Sequence, residues 1–137
     1  TRARETSRHG DFACGNVVHT PDHVDYASAE AEMAGANAGL YATGQPPLAD
    51  NVRLQPSTHV TSCVPHTVST DREHVVYLRV REPLERSALR LVAADGTVVH
   101  ERKLRYVVPA EMVTLKLRPA ALEGFHGEAL HVEVVPR

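Results

Sequence analysis

The residues best suited to chemistry form a short turn close to the N-terminus. Residues 12–19 read FACGNVVH, so small residues lead to Gly15, the polar Asn16 follows, and a helix is expected to begin at about Asp22 or Asp25. Such a turn can bring backbone N–H groups close to a bound anion or polar ligand, because glycine permits close approach and a helix N-terminus carries unpaired amides. Many strand-to-helix turns share this pattern. The residues alone therefore predict a binding turn without specifying its ligand.

Other chemistries have weaker support in the sequence. His19 and His23 stand at i and i+4 and could chelate a metal on a helix, but Pro21 lies between them and disfavours a regular helix there. Cys14 and Cys63 form no CxxC pair, so two reduced cysteines are predicted, while a disulfide between them stays open. No spacing of Ser, His and Asp indicates a nucleophile. We expect no metal site and no catalytic residue in this chain.

A long helix is predicted directly after the turn. Residues 24–42 contain no proline and are followed by Gly44, a typical residue just beyond a helix end. Asp22 or Asp25 is expected to cap the helix N-terminus. One face carries almost no side-chain bulk, which predicts close packing against a sheet or another backbone, because interior glycines cost about 1 kcal/mol each. That face consists of Ala27, Ala31, Gly35 and Ala38.

The composition changes near residue 44, and the remainder of the chain predicts strands. Residues 44–56 carry three prolines and are expected to form a linker. Beyond it, apolar and polar residues alternate in short segments, each with one polar face, which predicts two packed antiparallel sheets. The predicted strands are 60–64 at a sheet edge before Pro65, 74–81, 89–91 and 97–99 around the tight turn Asp95-Gly96, 111–117 and 129–135. The predicted organisation is 1–43, linker 44–56, and a β-sandwich over 57–137.

Composition excludes several classes of partner. The chain has 137 residues, 23% of them charged, and a formal net charge of −2, so no electrostatic reason exists to expect nucleic acid or an acidic membrane. No stretch of about 18 apolar residues predicts a membrane span. No secretory signal is recognised, so a cytoplasmic location is expected. Because the sequence starts at Thr1 without a methionine, we expect it to be a truncated piece of a longer protein.

The turn resembles the second flavin motif of the FAD-dependent pyridine nucleotide-disulfide oxidoreductase superfamily. Residues 12–26 are similar to a branch whose turn reads FACGNVVHVHDLVDYV, comprising NAD(P)-linked oxidoreductases often found beside glycerol-3-phosphate dehydrogenase genes. The resemblance continues through residues 78–84 (LRVREPL) and 109–113 (PAEMV), and so covers most of the chain. It implies an α+β chain: the terminal turn and helix of an FAD-binding α/β domain, followed by a small antiparallel β-sandwich.

The resemblance also implies roles for five residues. Gly15 lets the backbone approach FAD, and Asn16 stands where most of the superfamily places an Asp that hydrogen-bonds the ribityl chain. An asparagine keeps the oxygen acceptor but loses the charge. Val24, Asp25 and Tyr26 begin the last helix, whose amides would face the flavin pyrimidine and stabilise negative charge there.

The sequence departs from the branch at several positions. His19-Thr20-Pro21-Asp22-His23 replaces a His-Val-His-Asp-Leu segment, and Asp11 occupies an apolar strand position. The GxGxxG motif and the NAD(P)-binding domain are missing from this sequence. The predicted function is therefore a C-terminal part or subunit of an FAD-dependent oxidoreductase that shares FAD with other polypeptide, binds NAD(P) elsewhere and is not catalytic alone. The alternative is a non-enzymatic β-sandwich interaction module that retains a vestigial flavin helix.

Overall fold

A computed structural model describes residues 4–45 and 51–137 of the chain. It divides into two compact units, residues 1–50 and 51–137. The chain is mixed α+β, with one α-helix in the described part of the first unit and two mostly antiparallel sheets in the second. Within the described ranges, no helix combines the length and the apolar character that crossing a bilayer requires.

The predicted helix is confirmed with its bounds, and we name it α1 (Val24–Ala42). Gly44 follows it at φ +73°, where its N–H donates to Tyr41 O (3.0 Å) while the N–H of Gln45 donates to Leu40 O (3.0 Å). This pair of hydrogen bonds satisfies carbonyls that a helix end leaves free, and it requires the left-handed backbone that glycine adopts most readily.

The N-terminal cap of α1 differs from the prediction. The cap residue is His23, in extended conformation and without a side-chain capping hydrogen bond, while Asp25 lies in the first helical turn. A carboxylate in that turn still interacts favourably with the positive end of the helix dipole. The expected cap at Asp22 or Asp25 is therefore corrected to His23.

Residues 51–137 contain eight strands in two sheets. The first sheet has the order β3-β1-β8-β5-β6 and the second the order β2-β4-β7. The strands are β1 (Val52–Pro56), β2 (Val60–Val64), β3 (Thr67–Val68), β4 (His74–Val80), β5 (Leu84–Ala93), β6 (Val98–Val107), β7 (Val113–Leu117) and β8 (Ala129–Pro136).

One hydrophobic cluster joins the inner faces of both sheets, as the alternating pattern predicts. Each buried leucine or valine contributes about 1.5–3 kcal/mol relative to an exposed one. The predicted inward positions are confirmed at Val76, Leu78 and Val80 of β4, Leu115 and Leu117 of β7, and Leu130, Val132 and Val134 of β8.

The first strand corrects two predictions. β1 occupies residues 52–56, inside the predicted linker 44–56, so the β-rich unit begins before residue 57. Val52 and Leu54 are buried, and Pro56 stands at the strand end, where the missing amide N–H costs little. β1 also pairs with β8 in parallel, so the sheet is not wholly antiparallel. The remainder of the predicted linker, residues 46–50, lies outside the described residues.

The hairpin between β5 and β6 is confirmed, but its turn is longer than predicted. Ala93 N–H donates to Thr97 O (2.8 Å), which leaves a three-residue loop ending at Gly96, whose φ is +87°. The Thr97 N–H donates to the Asp95 carboxylate (2.9 Å) and holds the pKa of that carboxyl below its usual range. Only the glycine position requires positive φ in such a loop, whereas the predicted two-residue turn requires it twice.

Both cysteines are free thiols, and their environments differ. Cys63 lies in the shared core with no exposed surface, and burial raises its pKa to about 11. Cys14 is half-buried. The thiolate is the reactive form, so its fraction at Cys63 is about a hundredfold below that of a thiol of ordinary pKa.

We expect a thiol reagent at mildly alkaline pH to label Cys14 quickly and Cys63 only after unfolding. Mass spectrometry of the labelled chain over time measures this difference. The Cys14→Ser variant should show no fast labelling, and equal labelling rates at the two cysteines in the native protein would contradict the burial of Cys63.

Candidate functional site

The segment before the predicted flavin turn folds as a small hairpin. Glu5 and Phe12 form an isolated antiparallel bridge, supported by hydrogen bonds from Thr6 N–H to Asp11 O and from Ala13 N–H to Arg4 O, both 2.8 Å. A strand leading into the turn was expected, with Asp11 at an apolar position. Instead, Asp11 is exposed, and its carboxylate lies 3.4 Å from the Arg8 guanidinium. Its charge is therefore not buried.

The hairpin packs on the C-terminal end of α1 through aromatic rings. Tyr41 meets His9 edge-on at a centroid distance of 5.0 Å and Phe12 at 6.0 Å. Gly10, at φ +87°, lies directly under the Tyr41 ring, and a Cβ there would come within 3.0 Å of the hydroxyl. A glycine is therefore needed both for the backbone conformation and for this close approach.

The predicted flavin turn forms one turn of 3₁₀ helix over Gly15–Val17. Gly15 has φ +67°, and nothing within 4 Å would meet a Cβ placed on it. Asn16 is exposed, and Val17 exposes 81% of its surface. The bend thus presents an open backbone, one amide side chain and one uncovered apolar side chain.

The other predicted flavin residues lie at the start of α1. Val24 is 76% exposed and Asp25 is exposed, while Tyr26 is half-buried beside the His23 ring. The Tyr26 N–H donates to His23 O (3.1 Å), so this amide is already engaged within the helix. The N-cap residue His23 makes no side-chain hydrogen bond to the helix start, where the first backbone amides have no partner within the helix.

The bend contacts α1 through Glu30, for which the sequence predicted no role. Its side chain is 1% exposed, and its carboxylate accepts hydrogen bonds from Gly15 N–H (3.3 Å) and pairs with His19 Nε2 (2.5 Å). The Arg4 guanidinium, itself 5% exposed, lies 3.2 Å from the same carboxylate. Gly15 therefore lies beside the second turn of α1.

Glu30 was detectable in principle. Glu30 and Ala34 lie one helical turn apart on the same side of α1, and both are buried, whereas Ala31 and Gly35 are exposed. The buried side of the helix therefore overlaps only in part with the predicted small-residue face, of which Ala27 and Ala38 are half-buried. A carboxylate flanked by alanines on a packing face indicates a buried charge that requires partners from elsewhere in the chain.

Potential catalytic groups in the second unit have structural roles. Ser69 Oγ lies 3.1 Å from His74 Nε2, but both residues are about 4% exposed, so no substrate reaches them. His74 Nε2 also lies 3.0 Å from the Ser69 amide nitrogen and fastens the turn before β4. The Arg72 guanidinium beside Asp71 holds the pKa of that carboxyl well below its usual range, and a hydrogen bond with Ser69 lowers it further. Across residues 4–45 and 51–137, no group of three or more His, Cys, Asp or Glu side chains could hold a metal.

We expect the Glu30→Gln variant to release the bend from α1. The Arg4 guanidinium would stay buried without its counter-charge, and breaking a buried ion pair costs roughly 3–5 kcal/mol. Amide hydrogen exchange measured by NMR should become faster at Gly15 and Ala13. The matched variant Glu32→Gln, on an exposed position of the same helix, should leave those rates unchanged. Unaltered exchange at Gly15 in Glu30→Gln would show that the carboxylate does not hold the bend.

Comparison with known proteins finds no matching family model, no similar curated protein and no similar solved structure.

Proposed function

We propose that residues 4–45 form part of the flavin pocket of a cytoplasmic, FAD-dependent and NAD(P)-linked oxidoreductase. The remaining pocket and the NAD(P) site belong to polypeptide outside this sequence, either an adjoining segment or a partner subunit. The observation that carries the proposal is the open bend at Gly15 and Asn16, where the positive φ of Gly15 and the empty space beside it leave room for the close backbone approach that the resemblance implies.

The chain's own groups have defined tasks in this proposal. The backbone at Gly15 lies against the flavin, since no side chain or neighbouring atom fills the space above it. The Asn16 amide accepts a hydrogen bond from the ribityl chain and can donate another. The backbone amides of Val24 and Asp25 face the pyrimidine edge of the flavin, where a helix N-terminus stabilises negative charge. Bound FAD supplies the hydride chemistry.

Two exposed surfaces of the first unit support the proposal that other polypeptide packs on it. Val17, within the bend, and Val24, at the start of α1, expose 81% and 76% of their surface. Along α1, Ala31 and Gly35 are exposed on the small-residue face, and no atom would meet a Cβ on Gly35. Glycines in a helix interior are costly and are usually retained for close packing, which this unit does not itself provide.

The alternative function has its own supporting observation. The described members of the shared hydrophobic cluster all come from residues 52 onward, so the second unit has a core of its own. A self-sufficient β-rich unit suits a non-enzymatic interaction module that carries a vestigial flavin helix. The two functions differ in whether the complete protein binds flavin.

The decisive experiment uses the complete reading frame that contains this sequence. We expect a continuous frame with a GxGxxG motif, and a purified product that is yellow and shows flavin absorption. Asn16→Leu should weaken flavin binding about tenfold, the effect of one lost hydrogen bond to a polar ligand, as measured by fluorescence titration of the apoprotein. Asn16→Asp keeps the acceptor and should retain binding.

The control for Asn16→Leu is Asn51→Leu, because Asn51 is an exposed asparagine in the other unit. A colourless product from the complete frame would overturn the proposal and favour the interaction module. Equal flavin affinity in Asn16→Leu and Asn51→Leu would remove the bend from the flavin site.

A further inference from the structure

A cleft of about 730 Å³ lies at the end of the β5–β6 hairpin opposite the Asp95-Gly96 turn. Its walls come from the first residues of β5, the second half of β6 and the end of β8. Its volume falls within the range of small-molecule sites in proteins. The cationic side chains of its lining include Arg86, Arg90, Lys103 and Arg105.

Positive charge dominates the lining. Arg90 pairs with Glu101 at 2.8 Å, whereas Arg86, Lys103 and Arg105 have no ion-pair partner among the described residues. Glu85 is the one side-chain carboxylate of the described lining. The whole chain has a formal net charge of −2, so this local excess of cations is not a consequence of a basic protein.

The paired strands β5 and β6 place these cations along one stretch of the sheet. Arg86 lies between Glu85 and Ser87, which pair with Tyr106 and Leu104, and Lys103 pairs with Ala88, two residues from Arg86. The Arg137 N–H donates to Arg86 O (2.9 Å), which joins the residue after β8 to this stretch. A bound anion offsets the repulsion between cations that share one cleft.

We propose that this cleft binds a phosphate-bearing small molecule of about nucleotide size, with Arg86, Lys103 and Arg105 holding the phosphates. Guanidinium groups bind phosphate oxygens in pairs through parallel N–H donors, and Lys103 adds a point charge. The site lies entirely in residues 51–137 and does not depend on the flavin proposal.

The test is an NMR titration of the 137-residue chain with ADP, and separately with inorganic phosphate. We expect amide shifts at Arg86, Ser87, Lys103 and Arg105, and tighter binding of ADP than of phosphate. Lys103→Gln and Arg105→Gln should each weaken ADP binding about tenfold, as expected for one lost charge-assisted contact. Lys116→Gln, an exposed lysine on β7 outside the cleft, is the matched control and should bind ADP normally.

Folding is checked in the same samples by thermal unfolding. The Arg105→Gln variant should not unfold at a lower temperature than the unsubstituted chain, because Arg105 is exposed and has no ion-pair partner among the described residues. ADP should raise the unfolding temperature of the unsubstituted chain and of Lys116→Gln, but much less that of Arg105→Gln. Shifts spread over all exposed basic residues, or equal weakening by Lys116→Gln, would overturn the proposal. Binding of single-stranded DNA or acidic vesicles through these residues without binding of ADP would overturn it as well.

Discussion

The first unit is organised by the cost of burying one charge. A carboxylate inside a protein must be paired and hydrogen-bonded, or it destabilises the fold by several kcal/mol. Glu30 obtains its partners from the segment before α1: the Arg4 guanidinium, the His19 ring and the Gly15 amide. Because these groups are far apart in sequence, satisfying one side chain folds the whole segment back along the helix. The shape of the Gly15 bend is thus a consequence of an ion pair.

The helix has two faces with different tasks. The stripe with Glu30 and Ala34 is buried within the unit, and its contact with the N-terminal hairpin is completed by Tyr41 against His9 and Phe12. The adjoining face, with Ala31 and Gly35, remains exposed. A helix that uses one face for its own unit and keeps the next nearly bare is suited to an additional layer. The flavin proposal depends on this difference between the two faces, because the open bend and the exposed small-residue face belong to the same unit.

The second unit follows a different rule, since apolar area and not charge holds it together. Inward leucines and valines from both sheets form one cluster, and the cations that cannot enter it collect on the outside. The alternation of side chains along each strand, together with the strand pairing, determines which charged side chains become neighbours. Arg90 pairs with Glu101 across the strands, whereas Arg86, Lys103 and Arg105 have no ion-pair partner among the described residues. The cationic cleft therefore forms where β5 and β6 bring together cations that outnumber the side-chain carboxylates around them.

Local patterns in the sequence determined the helix from Val24 to Ala42, its glycine end, the inward residues of three strands and the β5–β6 hairpin. These features depend on periodicity and on backbone preferences that act over a few residues, so they can be predicted without knowing the partners of each side chain. The function proposed for the Gly15-Asn16 turn also came from local residues, through a resemblance that no family model or solved structure matches.

Only the tertiary structure decided the remainder. The sequence did not predict β1, which lies in a proline-containing stretch. This strand is stabilised by pairing with β8, at the other end of the same unit in sequence. The role of Glu30 depends on Arg4 and His19, and the cationic cleft depends on residues that β5 and β6 bring opposite each other. Each of these features is a contact between segments distant in sequence. Such contacts follow from how strands and helices pack, and this information is absent from any short stretch of the chain.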